Sequence, residues 1–150
     1  METGSLEEFR SFARDFAATL APREGGAAVV ALSGELGAGK TTFVQEVAKH
    51  FGIDERVTSP TFVIEKIYEL SRQPFQRLVH IDAYRLKDSR ELEMLGWPEL
   101  VGDVRNLILI EWPERVPELI PEGAWRLHFD IAGEGRIITS DGGQKNGEGS

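Results

Sequence analysis

Cysteine is absent from all 150 residues, which excludes disulfides, thiolate metal sites and cysteine nucleophiles. That absence fits a reducing compartment. No apolar run approaches the ~18 residues that a membrane-spanning helix needs, and no charged-then-apolar segment opens the chain. The expectation is a soluble, cytoplasmic protein. Positive charge is also scarce: 17 Lys+Arg stand against 25 Asp+Glu, for a formal net charge of −8. Such a surface repels a phosphate backbone unless basic residues are gathered on one face. Here Arg10, Arg14, Arg23, Arg85, Lys87 and Arg90 are scattered. Strong direct nucleic-acid binding is not expected, and the acidity suits a basic protein partner or plain solubility. What is present is an apolar fraction of 41% with three Trp. At the length of one ordinary domain, the chain can bury roughly 70% of its unfolded surface without staples.

The chain opens with "SLEEFRSFARDFAATLAP", where Ser5 followed by Glu8 makes a capping-box pattern. Leu6, Phe9, Phe12, Ala13, Phe16 and Leu20 recur at helical spacing before Pro22. "AAVVALSG" reads as a buried strand. "KTTFVQEVAKHFG" reads as a helix with Phe43, Val47 and Phe51 inward and Gly52 as its stop. "TFVIEKIYEL" and "LVHID" read as an antiparallel strand pair joined by the polar turn "SRQPFQR". "DSRELEML" is a short helix capped at Asp88 or Ser89, with Gly96 as its stop, and "LILIEWP" a central strand covered on both faces. "WRLHFDI" and "RIITS" form a final hairpin around "AGEG". The expected architecture is α/β: a P-loop NTPase-like three-layer domain with a mixed sheet and antiparallel edge strands. Residues 1–140 are expected to form one domain, and the tail at 141–150, "DGGQKNGEGS", to be disordered for want of any apolar residue.

The most specific signal is "SGELGAGKTTF". Gly34, four residues, then Gly39-Lys40-Thr41 fit G-x-x-x-x-G-K-[ST] without a mismatch. Glycines suit such a loop because its amides must approach phosphate oxygens closely, and a β-carbon would crowd them. The helix that follows adds its N-terminal partial positive charge. A strand before the loop and an amphipathic helix after it are the context the motif requires. Lys40 is placed at the β- and γ-phosphates and the Thr41 hydroxyl on Mg²⁺. Glu35, Leu36, Gly37, Ala38, Gly39, Lys40, Thr41 and Thr42 are the candidate nucleotide-binding residues.

A P-loop site also needs an acid at the end of an apolar strand, to support Mg²⁺ or position water. Two qualify, Asp82 after "LVHI" and Glu111 after "LILI". Both fall where ligands sit in open α/β sheets, and spacing does not divide the labour between them. Trp112 could wall the site, though packing is the commoner use of a Trp. His80, in mid-strand, reads as packed rather than catalytic. Arg85 and Arg90 are candidates for neutralising charge, with surface placement the blander alternative. No N-K-x-D guanine-reading motif occurs, which favours adenine.

"GELGAGKTTF", "VTSPTF", "HIDAYRL", "ELEMLG" and "IEWPER", in this order, closely resemble the bacterial TsaE family, the P-loop ATPase of tRNA threonylcarbamoyladenosine biosynthesis. The match runs from about Ala28 to Arg115. The resemblance implies an ATPase that uses ATP and Mg²⁺ and acts with two partners, TsaB and TsaD. Together they attach a threonylcarbamoyl group to the adenosine beside the anticodon. By the same resemblance Lys40 holds phosphates, Thr41 and Glu111 contact the metal, Asp82 is a further functional acid, and Ser59-Pro60-Thr61 form a switch loop. Trp112 is implied to lie at the site. One departure is Phe9, where family members often carry a Thr that approaches the nucleotide; Thr3, Ser5 and Ser11 are the available substitutes. Two other classes compete: a small-molecule kinase with "YRLKDSR" as a lid, for which the chain has little spare length, and a non-hydrolytic nucleotide-gated binding module.

Overall fold

The structure is a computed structural model that describes residues 1–35, 37–53 and 65–142. Strand β1 (Glu2–Thr3) leads into α1 (Leu6–Thr19), then β2 (Ala28–Gly34) and α2 (Lys40–His50). After β3 (Glu65–Glu69) and β4 (Arg77–Asp82) come two short helices, α3 (Ser89–Met94) and α4 (Trp97–Val101). Strand β5 (Asn106–Glu111), two 3₁₀ turns (Pro113–Arg115 and Pro117–Leu119) and the hairpin β6 (Trp125–Ala132) and β7 (Gly135–Gly142) complete the chain.

Among the described residues the strands form one sheet in the order β1-β7-β6-β2-β5-β4-β3. The middle four, β6, β2, β5 and β4, run parallel, whereas β3, β7 and β1 add antiparallel edges. This is the mixed sheet anticipated from the sequence. Alternation along the strands divides the core in two. Val30 and Leu32 of β2 and Leu107 and Leu109 of β5 face α1 and α2. Val29, Ala31, Ile108 and Ile110 face the other way, onto Leu92 of α3 and Trp97 of α4. Helices on both faces make three layers, and β5, buried along its whole length, is the fully covered strand that its apolar run implies.

Local chemistry sets the element ends. Ser5 Oγ accepts the Glu8 amide at 3.1 Å, while the Glu8 carboxylate accepts the amide of Gly4 at 3.3 Å. Helix α1 stops where Leu20 turns extended, two residues ahead of Pro22. Asp88, not Ser89, caps α3, accepting the amides of Arg90 and Glu91. The α1–α2 layer is aromatic: Phe43, fully buried, has the rings of Phe12, Phe16 and Phe129 at centroid distances of 6.2, 5.6 and 5.5 Å.

Four features depart from the sequence reading. Leu6, at helical spacing with the inward residues of α1, is exposed: it is the first residue of the helix and lines an open cleft. The short helix α4 after Gly96 and the strand β1 were not anticipated; "WPELV" is too short for a periodic signal and two residues of strand carry none. Strand β7 continues through Asp141 and Gly142, beyond the boundary at 140, because these residues pair with Arg126 and Trp125. Leu36, the expected switch loop at Ser59-Pro60-Thr61 and the tail from 143 lie outside the described residues.

Candidate functional site

Parallel strands end together, so the C-terminal ends of β2, β5 and β4 share one edge of the sheet. Leu32 of β2 is level with Glu111, and Glu111 with Asp82. Side chains two apart share a face, which puts His80, Asp82 and Glu111 on the same side as Leu78 and Leu109, the side that α2 covers. Here α2 begins at Lys40, directly after the glycine loop, with Gly39 at its N-cap and no side chain capping its first amides.

Lys40, Thr41, Thr42, Gly37, Gly39, Asp82 and Glu111 line one cleft, together with Tyr84 and Trp112. The loop and both candidate acids therefore meet. Glu111 is buried on the strand next to β2, and its Oε2 lies 2.6 Å from His80 Nε2. Asp82 sits one strand further out and half-exposed, with Oδ1 accepting the Tyr84 amide at 3.0 Å. Lys40 is almost wholly buried; its ammonium donates to the Gly34 carbonyl and lies 3.7 Å from the centroid of the Trp112 ring. Burial lowers its pKa below 10.5, opposed by the negative charges of Glu111, Glu114 and Asp82 in that order. Trp112 in turn packs on Tyr84 at 4.9 Å, and the Arg115 guanidinium lies 5.4 Å from the Tyr84 ring. The result is a stack of cation, ring, ring and cation, whose first three members line the cleft.

Two glycines of the loop are required by a close approach as well as by a positive φ. Gly34 has φ +131°, and a β-carbon there would lie 2.4 Å from the Phe129 carbonyl oxygen of β6. Gly39 has φ +111°, and its β-carbon would meet the Phe9 ring at 2.7 Å. Trp112 holds a similar left-handed backbone (φ 61°) without being glycine, and its amide donates to the Leu32 carbonyl at 3.1 Å. Strain of this kind, held by surrounding structure, collects at functional sites.

A second cleft adjoins the first across Gly37, Gly39 and Thr42. Its other walls are Ser5, Leu6 and Phe9 from α1 and Glu134, Gly135 and Arg136 from the hairpin. Arg136 donates to the Gly37 carbonyl at 3.2 Å, so the C-terminal hairpin braces the loop. Of the possible substitutes for a threonine at Phe9, Ser5 lines this cleft, whereas Thr3 is buried with its hydroxyl 3.5 Å from the Arg136 carbonyl.

Some candidates fall elsewhere. Ala38 points into the core, and its amide donates to the Glu35 carbonyl at 3.2 Å; Glu35 is exposed and neither residue lines the cleft. Arg85 and Arg90 are exposed and also absent from the cleft wall. Conversely, Tyr84 lines the cleft and Arg136 the adjoining one, while the Glu114 charge acts on Lys40 and Arg115 lies against Tyr84, none of them singled out in the sequence. Tyr84 had a signal, since an aspartate two residues earlier can form an Asx turn. The other three are ordinary charged residues whose placement depends on packing. Among the described residues no group of three or more His, Asp and Glu is arranged to hold a metal. That is compatible with Mg²⁺, which is held through one or two protein ligands plus phosphate oxygens and waters rather than an all-protein cage.

Residues 3–138 match the family model described as threonylcarbamoyl adenosine biosynthesis protein TsaE. A protein of Rickettsia typhi named tRNA threonylcarbamoyladenosine biosynthesis protein TsaE is 41% identical over 137 residues, 91% of this chain and 89% of that one. The Bacillus subtilis protein of the same name is 37% identical over 132 residues, 88% of this chain and 77% of its own. The crystal structure of Bacillus subtilis YdiB superposes with a TM-score of 0.70 at 30% identity, covering 93% of this chain and 82% of that one. With a family model spanning nearly the whole fold and relatives this similar, the chain belongs to the TsaE family.

Proposed function

We propose that this protein is a Mg²⁺-dependent ATP-binding and hydrolysing subunit that acts with TsaB- and TsaD-type proteins in threonylcarbamoyl modification of tRNA adenosine beside the anticodon. Family membership supports the pathway. The observation that carries the chemistry is the convergence of Lys40, Thr41, Asp82 and Glu111 on one cleft at the start of α2.

In this reading the amides of the loop and the first turn of α2 receive phosphate oxygens, and the Lys40 ammonium moves from the Gly34 carbonyl to the β- and γ-phosphates. The Thr41 hydroxyl and Glu111 would hold Mg²⁺, which would supply neutralisation of the charge that develops on the transferring phosphoryl group. Glu111 suits this role better than Asp82 because it sits on the strand beside the loop and dominates the electrostatic pull on Lys40. Asp82 is left to orient water, and Trp112 limits solvent access to the lysine. The second cleft receives the base and sugar, with Phe9 as its apolar floor. The net charge of −8 fits a subunit that leaves tRNA to its partners. No observation favours the kinase reading, whose arginines stand outside the cleft.

The test is ATP binding and hydrolysis by the purified protein, alone and with TsaB- and TsaD-type partners, beside Lys40→Ala. The expected result is a low rate alone and stimulation by the partners, which can contribute about 10³-fold through a group supplied in trans. Stimulation should vanish in Lys40→Ala. Binding and hydrolysis unaffected by Lys40→Ala would overturn the reading. Phosphate transfer to a metabolite in place of water would select the kinase, and partner binding gated by ATP without turnover would select the non-hydrolytic module.

A further inference from the structure

His80 has no part in the mechanism above, yet it is fully buried in β4, on the face it shares with Leu78 and Leu109. The register pairs His80 with Leu109, so Glu111 is its diagonal neighbour on the same face. The two side chains meet there, Nε2 to Oε2 at 2.6 Å. The other ring nitrogen, Nδ1, is buried without a hydrogen-bond partner among the described residues.

These facts select one arrangement of protons. Among the described residues a proton on Nδ1 would be a buried donor without an acceptor, carrying the desolvation penalty of an unmade hydrogen bond. A bare Nδ1 lone pair is the less costly orphan. The ring proton therefore belongs on Nε2, from which it donates to the Glu111 carboxylate. The reverse bond, from a protonated Glu111 to Nε2, would force the ring proton onto Nδ1.

We infer that His80 is the positioning residue for Glu111, tying down Oε2 so that the carboxylate presents its other oxygen to the cleft in one orientation. Without this anchor Glu111 remains drawn to the Lys40 ammonium, on which it exerts the strongest pull of the neighbouring carboxylates. An acid turned onto that lysine serves neither metal nor phosphate. A histidine in an otherwise apolar stretch of β4 is thereby accounted for. The inference rests on the role given to Glu111 under Proposed function.

Two measurements test it. Long-range ¹H–¹⁵N NMR on the full chain reads the histidine tautomer directly. The expected result is a proton on Nε2 alone, and a proton on Nδ1 would overturn the inference whatever the enzyme does. Partner-stimulated ATP hydrolysis is then compared for His80→Leu and His80→Gln, with melting curves to establish folding. Groups that orient a metal ligand typically contribute 10- to 100-fold, so His80→Leu should lose about that much in kcat with KM for ATP unchanged. His80→Gln, which keeps an N–H at similar reach, should recover most of it. A folded His80→Leu at full rate, or equal losses in both variants, would refute the role of His80 alone. An unsubstituted protein that never hydrolyses ATP would instead refute the proposed function, leaving the NMR result to decide the tautomer.

Discussion

Substituting alanine for each of the two loop glycines held in close approach gives a graded result, because the new β-carbon meets different kinds of obstacle. At Gly34 it lands 2.4 Å from the Phe129 carbonyl oxygen, roughly 1 Å inside van der Waals contact. That oxygen belongs to a strand paired with β2 through Gly34 itself, so relief requires parting two central strands. At Gly39 the obstacle is the edge of the Phe9 ring at 2.7 Å, a side chain that can tilt at the expense of its contact with Phe129, 5.9 Å between centroids. Backbone strain at these φ values costs about 1–3 kcal/mol, and overpacking adds about 1–3 kcal/mol. Gly34→Ala should therefore lose about 4 kcal/mol and Gly39→Ala about 3 kcal/mol. For a chain of this length each kcal/mol lowers Tm by about 2–4 °C, so the melts should fall by about 8–16 °C and about 6–12 °C respectively. Thermal and urea denaturation read both. Phe9→Leu supplies the control: combined with Gly39→Ala it should show a favourable coupling of about 1 kcal/mol, and with Gly34→Ala almost none. A Gly34→Ala protein melting within about 2 °C of the unsubstituted chain, or coupling that appears at Gly34 and not at Gly39, would refute the close approaches on which the loop's description depends.

Two further perturbations probe charge. Because burial lowers the pKa of Lys40 below 10.5, ATP affinity should weaken as pH rises through that lowered value, earlier than an exposed lysine would dictate. Stability should move oppositely: between the lowered folded value and 10.5 the unfolded chain holds more protons, so the unfolding free energy rises with pH. Binding titrations and melts of the native chain and Lys40→Met check both limbs, and profiles that do not differ between the two proteins would refute the assignment to Lys40. Glu46, buried on α2, faces Arg10 at 3.3 Å, Arg14 at 3.6 Å and Lys49 at 3.7 Å. The three cations are partly exposed, so Glu46→Ala should lower stability by about 1–2 kcal/mol rather than the larger loss of a fully buried pair. A difference that persists undiminished in high salt would refute the electrostatic account.

How far the sequence was legible depended on how local each signal is. Helix α1 was readable because Ser5, Glu8 and the apolar spacing all lie within a few residues of one another. Strand β5 was readable because six consecutive buried positions leave few alternatives. Helix α4 and β1 were not, being stabilised by the elements they pack against rather than by any period of their own. Lys40, Thr41, Asp82 and Glu111, singled out by the motif and the strand-end rule, line one cleft. Tyr84 had only the local signal of an aspartate two residues earlier, while Glu114, Arg115 and Arg136 are brought near the cleft by packing that no local pattern announces.

The sequence by itself determined that a glycine loop joins a buried strand to a helix beginning at Lys40, and that two apolar strands end in acids. These are properties of contiguous residues, written in φ preferences and apolar patterning. Only the tertiary structure decided that Glu111 stands beside the loop with Asp82 one strand beyond, that Trp112 lies against Lys40, and that His80 meets Glu111. Each of these follows from the order and register in which the strands pair, and register is set by burying both faces of the whole sheet at once.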